Sequence, residues 1–147
     1  MFSSRGIGYQ VLKFIPNREN IEGQIKSVSF FVVTKAKTQQ KIRLLLYSVD
    51  SNDVKPKNNI LPKSIVKSLG KKKGWQEIAV QDMHIPLPSN GFFIGLEFLS
   101  SVEEIEENNQ LTIGLIKKED KPVTWMKMIG GEWYLPKFLK DPKGNRV

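Results

Sequence analysis

The sequence predicts an all-β chain folded as an antiparallel two-sheet sandwich of about eight strands, jelly-roll-like in arrangement. Three observations carry this. Short segments rich in β-branched and aromatic residues recur along the chain, Pro, Gly, Asn and Asp separate them, and sustained helical periodicity is absent.

Taken in order, GYQVLKFI (8–15) is a weak strand signal, and IKSVSFFVVT (25–34) and KIRLLLYSVD (41–50) are strong ones. A short helical turn is expected near Asn58 to Pro62, then a weak strand in SIVKSL (64–69). KGWQEIAV (73–80), GFFIGLEFLS (91–100) and LTIGLIKK (111–118) follow, with a second helical turn near Val102 to Glu107 between the last two. In VTWMKM and EWYL (123–135) the pair Gly130 and Gly131 predicts a two-residue hairpin turn. That turn sets Met128 against Trp133 and Lys127 against Tyr134, with Met126, Met128, Trp133 and Leu135 on the core face. Trp125, Lys127 and Tyr134 share the other face. Residues 1–140 form one sandwich domain, and the Pro-, Gly- and charge-rich 141–147 a flexible C-terminal tail.

Alternation identifies the interior. In KIRLLLYSVD, Ile42, Leu44 and Leu46 share one face, with Arg43, Leu45 and Tyr47 opposite; in GFFIGLEFLS, Ile94, Leu96 and Phe98 oppose Phe93, Gly95, Glu97 and Leu99. The expected core adds Val28, Phe30, Val32, Ile113, Leu115 and Trp133 to the first face of each. The second face of both strands is apolar apart from one charge, and the charges have opposite signs. If the strands are neighbours, Arg43 and Glu97 form a structural ion pair across the ladder.

The composition narrows function. At 147 residues with 39% hydrophobic and 10% aromatic content, the chain can bury a core of its own. It has no cysteine, so thiolate catalysis, disulfides and zinc–thiolate sites are excluded. Its net charge of +8 comes from lysines scattered over loops and strand ends, with arginine only at 5, 18, 43 and 146. Such scatter blunts sheet edges and makes no phosphate-tracking stripe, so no nucleic-acid partner is expected. No apolar run approaches the roughly 18 residues of a membrane-spanning helix, and the N-terminus has no signal-peptide pattern.

The succession IRLLLYSVD, KPKNNIL, KGWQEIAVQDMHIPLP and GFFIGLEFL resembles a sandwich domain of Bacteroidetes cell-envelope proteins known as carboxypeptidase-like regulatory-domain proteins. Arg43, Tyr47, Pro56, Ile60, Leu61, Gly74, Trp75, Pro88, Phe92, Phe93, Leu96 and Glu97 fall on that family's pattern, from about Gly23 to Tyr134. The chain departs from it at Ala79, where the family has aspartate, and in having no preceding small β-domain. The resemblance implies a jelly-roll-like module outside the cytoplasm, without catalytic residues, whose partners are other domains or proteins of the cell envelope.

Specific chemistries find little support. His84 is the sole histidine, in MHIPLP with no nucleophile elbow, and reads as a partly exposed structural residue. No phosphate-cradling glycine loop occurs. DSND (50–53) and EEIEENN (103–109) could be taken for calcium loops, but neither has the central Gly and distal Glu of an EF-hand, so both read as solvated turns and no cofactor is expected. Basic and aromatic residues interleave in KKKGWQ, a pattern that suits binding to an anionic polymer, but Trp75 is expected instead to pack over one end of the sandwich. The function expected is a non-catalytic structural or adaptor module, with carbohydrate binding as the alternative. The alternative would use Trp125, Lys127 and Tyr134 as an aromatic platform unless these pack beneath GYQVLKFI.

Overall fold

A computed structural model describes residues 2–3, 8–34, 40–50, 52, 54–69, 72–99, 112–113, 124–127 and 131–134. These form ten strands: β1 (Phe2–Ser3), β2 (Tyr9–Ile15), β3 (Ser27–Thr34), β4 (Gln40–Val49), β5 (Pro56–Asn59), β6 (Val66–Leu69), β7 (Gly74–Ala79), β8 (Phe92–Phe98), β9 (Thr112–Ile113) and β10 (Thr124–Lys127). The only helical element among the described residues is a 3₁₀ turn at Gln81–Met83. A four-stranded sheet runs β1-β9-β3-β7, and a six-stranded sheet runs β10-β2-β8-β4-β5 with β6 also on β4. All pairings are antiparallel. The molecule is a two-sheet β-sandwich.

The interior follows the alternation. Val28, Phe30, Val32 and Ile78 from the smaller sheet meet Val11, Ile42, Leu44, Leu46, Leu96, Phe98 and Met126 from the larger one, all buried, with Ile94 packed against them. Of the remaining expected core residues, Ile113 lies in β9, and the surroundings of its side chain and of Leu115 fall outside the described residues. Trp133 is a correction: it packs on the outside of the six-stranded sheet.

Other differences have physical causes. The weak segment 8–15 is a central strand, hydrogen-bonded between β10 and β8. Its alternation is blurred because both faces are covered: Val11 is buried inward and Leu12 outward. The helical turn expected near Asn58 to Pro62 is instead β5 with its exit loop. Asn58 N donates to Ser48 Oγ at 3.1 Å and Ile60 N to the Leu46 carbonyl at 2.9 Å, so β4 claims the backbone groups that a helix would need. The turn expected near Val102 to Glu107 lies outside the described residues, as do 141–147. His84 is exposed in the left-handed region at φ 50°, closing the 3₁₀ turn, with Nδ1 3.4 Å from Gln24 Oε1.

Candidate functional site

The outer face of the six-stranded sheet gathers most of the residues singled out from the sequence, and strand register fixes their places. One row across it reads Lys127, Gln10, Glu97, Arg43 on β10, β2, β8 and β4. The next reads Trp125, Leu12, Gly95, Leu45, and the third, starting on β2, Phe14, Phe93, Tyr47. A polar row therefore borders an apolar field two rows deep.

In the polar row, Arg43 Nη1 donates to Glu97 Oε2 at 2.7 Å, and Arg43 Nε donates to Ser64 Oγ at 3.0 Å. The side chains are 39% and 14% exposed respectively, so the carboxylate is the more desolvated partner. The asymmetry predicts unequal costs. Replacing Arg43 with Leu strands Glu97 and is expected to cost about 2–3 kcal/mol, whereas Glu97→Gln leaves a guanidinium that is partly solvated and still bonded to Ser64, and costs about 1 kcal/mol. A double-mutant cycle read by urea unfolding should show coupling, the double variant losing less than the sum. Gln10 Oε1, between Lys127 and Glu97 in the row, is buried without a hydrogen-bond partner among the described residues.

The apolar field is packed. Leu12, Leu45, Val49 and Phe93 are buried, and Phe14, Tyr47, Val54, Trp125 and Trp133 close over them. Phe14 and Phe93 ring centroids are 5.4 Å apart, and Tyr47 meets Trp133 edge-on at 5.5 Å. The indole Nε1 of Trp125 donates to the Val54 carbonyl at 2.8 Å, so its polar end is satisfied while its ring packs on the sheet. Burial, with the nearby Glu97 charge adding to it, raises the Tyr47 phenol above its ordinary pKa.

Trp125, Lys127 and Tyr134 do not share a face, a correction to the platform. Met126 and Tyr134 are the directly opposed residues, with backbone bonds of 2.9 Å each way. This is one residue off the expected pairing of Lys127 with Tyr134, and such a slip exchanges the faces of the returning segment. Tyr134 goes to the side of Met126, and Trp133 comes to the side of Trp125 and Lys127, with Lys127 Nζ 5.6 Å from its ring centroid. Residues 128–130 of the turn lie outside the described residues. The covering over Trp125 also differs from expectation, since the N-terminal segment is its neighbour in the sheet and Val54 supplies the contact.

Trp75 is the other correction. Its face is the expected one, shared with Glu77 and Ala79, but nothing described covers it: Trp75 is 63% exposed and touches Phe31, itself 41% exposed, edge-on at 5.4 Å. Alternation assigns a face without saying whether a layer lies upon it. Of the two acidic segments, Asp50 Oδ1 accepts from Asn52 N at 3.0 Å as an Asx turn, and 103–109 lies outside the described residues. Among the described residues no group of three or more His, Asp or Glu is placed to hold a metal ion, and no helix is long and apolar enough to cross a membrane.

Comparison with protein-family profiles, with curated proteins and with solved structures yields no match to this chain.

Proposed function

We propose that this chain is a non-catalytic β-sandwich module with a structural or adaptor role in a bacterial envelope or surface protein. The cell-envelope location and the jelly-roll arrangement rest on the resemblance of IRLLLYSVD through GFFIGLEFL to the carboxypeptidase-like regulatory-domain proteins. The observation that supports a structural role is the commitment of Trp125. Its ring closes the cluster of Leu12, Leu45, Val49 and Phe93, and its indole N–H is spent on the Val54 carbonyl. A residue used in this way stabilises the six-stranded sheet and leaves little of itself for a ligand.

Carbohydrate binding is the alternative, since exposed aromatics do occur. A sugar platform needs rings lying flat beside one another, whereas Phe31 and Trp75 meet at 78°. The two readings part in one experiment, a glycan array probed with wild type and Trp125→Ala, with thermal unfolding of both. The structural reading expects no glycan signal from wild type and a loss of about 3 kcal/mol in the variant. A wild-type signal abolished in a variant of unchanged melting temperature would establish the platform instead.

A further inference from the structure

Asn90–Gly91 is the one Asn-Gly pair in the sequence, and it lies in the turn that leads into β8. Gly91 has φ 87°, and a Cβ on it would come within 2.5 Å of the Ile15 carbonyl oxygen and 2.8 Å of the Phe14 ring, so no other residue fits there. Asn90 is exposed, and among the described residues no hydrogen bond holds its side chain. The Gly91 amide points into the turn, where it donates to the Pro88 carbonyl at 3.2 Å, the long end of the usual range. Asn17 Nδ2 donates to that same oxygen, also at 3.2 Å, so the acceptor is shared.

An asparagine followed by glycine carries its own nucleophile. Once solvent base removes the Gly91 amide proton, the nitrogen can bond to Asn90 Cγ, and the tetrahedral centre expels ammonia to leave a succinimide. Glycine hinders this closure least, because it has no Cβ. Water then opens the ring at either carbonyl. Opening at the Cγ carbonyl gives aspartate. Opening at the main-chain carbonyl gives isoaspartate, in which the chain runs through Cβ and Cγ of residue 90 and is one atom longer. Other described asparagines lack one of these conditions. The Asn17 side chain accepts from Ile21 N and donates to the Ile21 carbonyl, both at 2.9 Å, while Asn20 and Asn59 are each followed by a β-branched isoleucine.

We propose that Asn90 is a self-modification site of the folded chain, converting through a succinimide to isoaspartate and lengthening the main chain at the entry to β8. The lengthening falls where there is little room. Phe92 and Phe93, next along the chain, are buried and pair with Ile15 and Phe14 of β2, and on the other side of the turn Asn17 ties down the Pro88 carbonyl. An additional atom between these fixed points has to push out the turn or pull Phe92 from its register.

Peptide mapping by mass spectrometry tests this on the full chain held folded at mildly alkaline pH, with isoaspartate scored by its enzymatic carboxyl methylation. Conversion of amide to acid is expected to be several-fold faster at Asn90 than at Asn17, Asn20 or Asn59, with isoaspartate among the products. Asn90→Gln, whose longer side chain would have to close a larger ring, should abolish the methylation signal. The isoaspartate form, separated by ion exchange, should unfold at a lower urea concentration than wild type. Asn90→Asp, which has the charge without the longer chain, should unfold like wild type. Asn90 that stays an amide in the folded protein while it converts in urea overturns the proposal, by showing that the turn shields it. A methylation signal that persists in Asn90→Gln, or an isoaspartate form with the wild-type urea midpoint, overturns it too.

Discussion

Replacing Phe93 with Ala is expected to cost about 3–5 kcal/mol, as much as truncating a residue between the sheets. Phe93 lies outside the sandwich proper, yet it is 0% exposed. Leu12, Leu45 and Val49 share its cluster, Phe14 packs on its ring, and Tyr47, Trp125 and Trp133 cover the group. Truncation would empty a space walled by strand residues on one side and large rings on the other. The rings are tied down, Trp125 by its bond to Val54 and Trp133 by its contact with Tyr47, so they cannot fall in to fill it. Urea unfolding of Phe93→Ala beside Leu44→Ala measures this, Leu44 being a residue of the inner core. Comparable losses are expected. A Phe93→Ala loss below about 1 kcal/mol would mean that the outer cluster is loosely held.

The second large effect comes from adding a single methyl group. Gly95 stands at the centre of the outer face, between Leu12 of β2 and Leu45 of β4. A Cβ there would collide with the Val11 carbonyl oxygen and come within 2.7 Å of Leu12 Cδ2. The Leu12 side chain could rotate, but the Val11 carbonyl belongs to a central strand held on both sides. Relief would therefore require β2 and β8 to move apart where they carry the Glu97 row and the Phe93 row alike. Gly95→Ala is expected to lose about 3 kcal/mol, and Gly95→Val to prevent folding. Unfolding of the Ala variant at wild-type urea concentrations would show that the two strands tolerate a wider separation.

These expectations rest on features of unequal legibility. The inner faces of β4 and β8 could be read because each has one face of branched or aromatic residues, and the lone charge on the other face of each suggested that Arg43 and Glu97 meet. In β2 the same reasoning has less purchase: Val11 and Leu12 are adjacent, both buried, and Lys13 interrupts the inward set. Strands covered on both sides lose their alternation, so this interior strand gave one of the weaker signals. The terminal hairpin failed for a different reason. Glycines in a turn permit loops of different length, and one residue of difference moved Trp133 from the expected core to the outer cluster and Tyr134 the other way. Coverage of a face lies furthest from the sequence, because it depends on segments distant along the chain. Val54 reaches Trp125 across 71 positions, and no local pattern announces that contact or its absence over Trp75.

The aromatic residues over the six-stranded sheet form a closed packing layer. Hydrogen exchange of the tryptophan indole N–H groups, followed by NMR, tests it most directly, since the chain has three tryptophans in distinct surroundings. The Trp125 indole, bonded to the Val54 carbonyl over a buried cluster, should exchange far more slowly than that of Trp75, which is 63% exposed. Equal and rapid exchange at both positions would mean instead that the outer face is open and Trp125 available to a ligand.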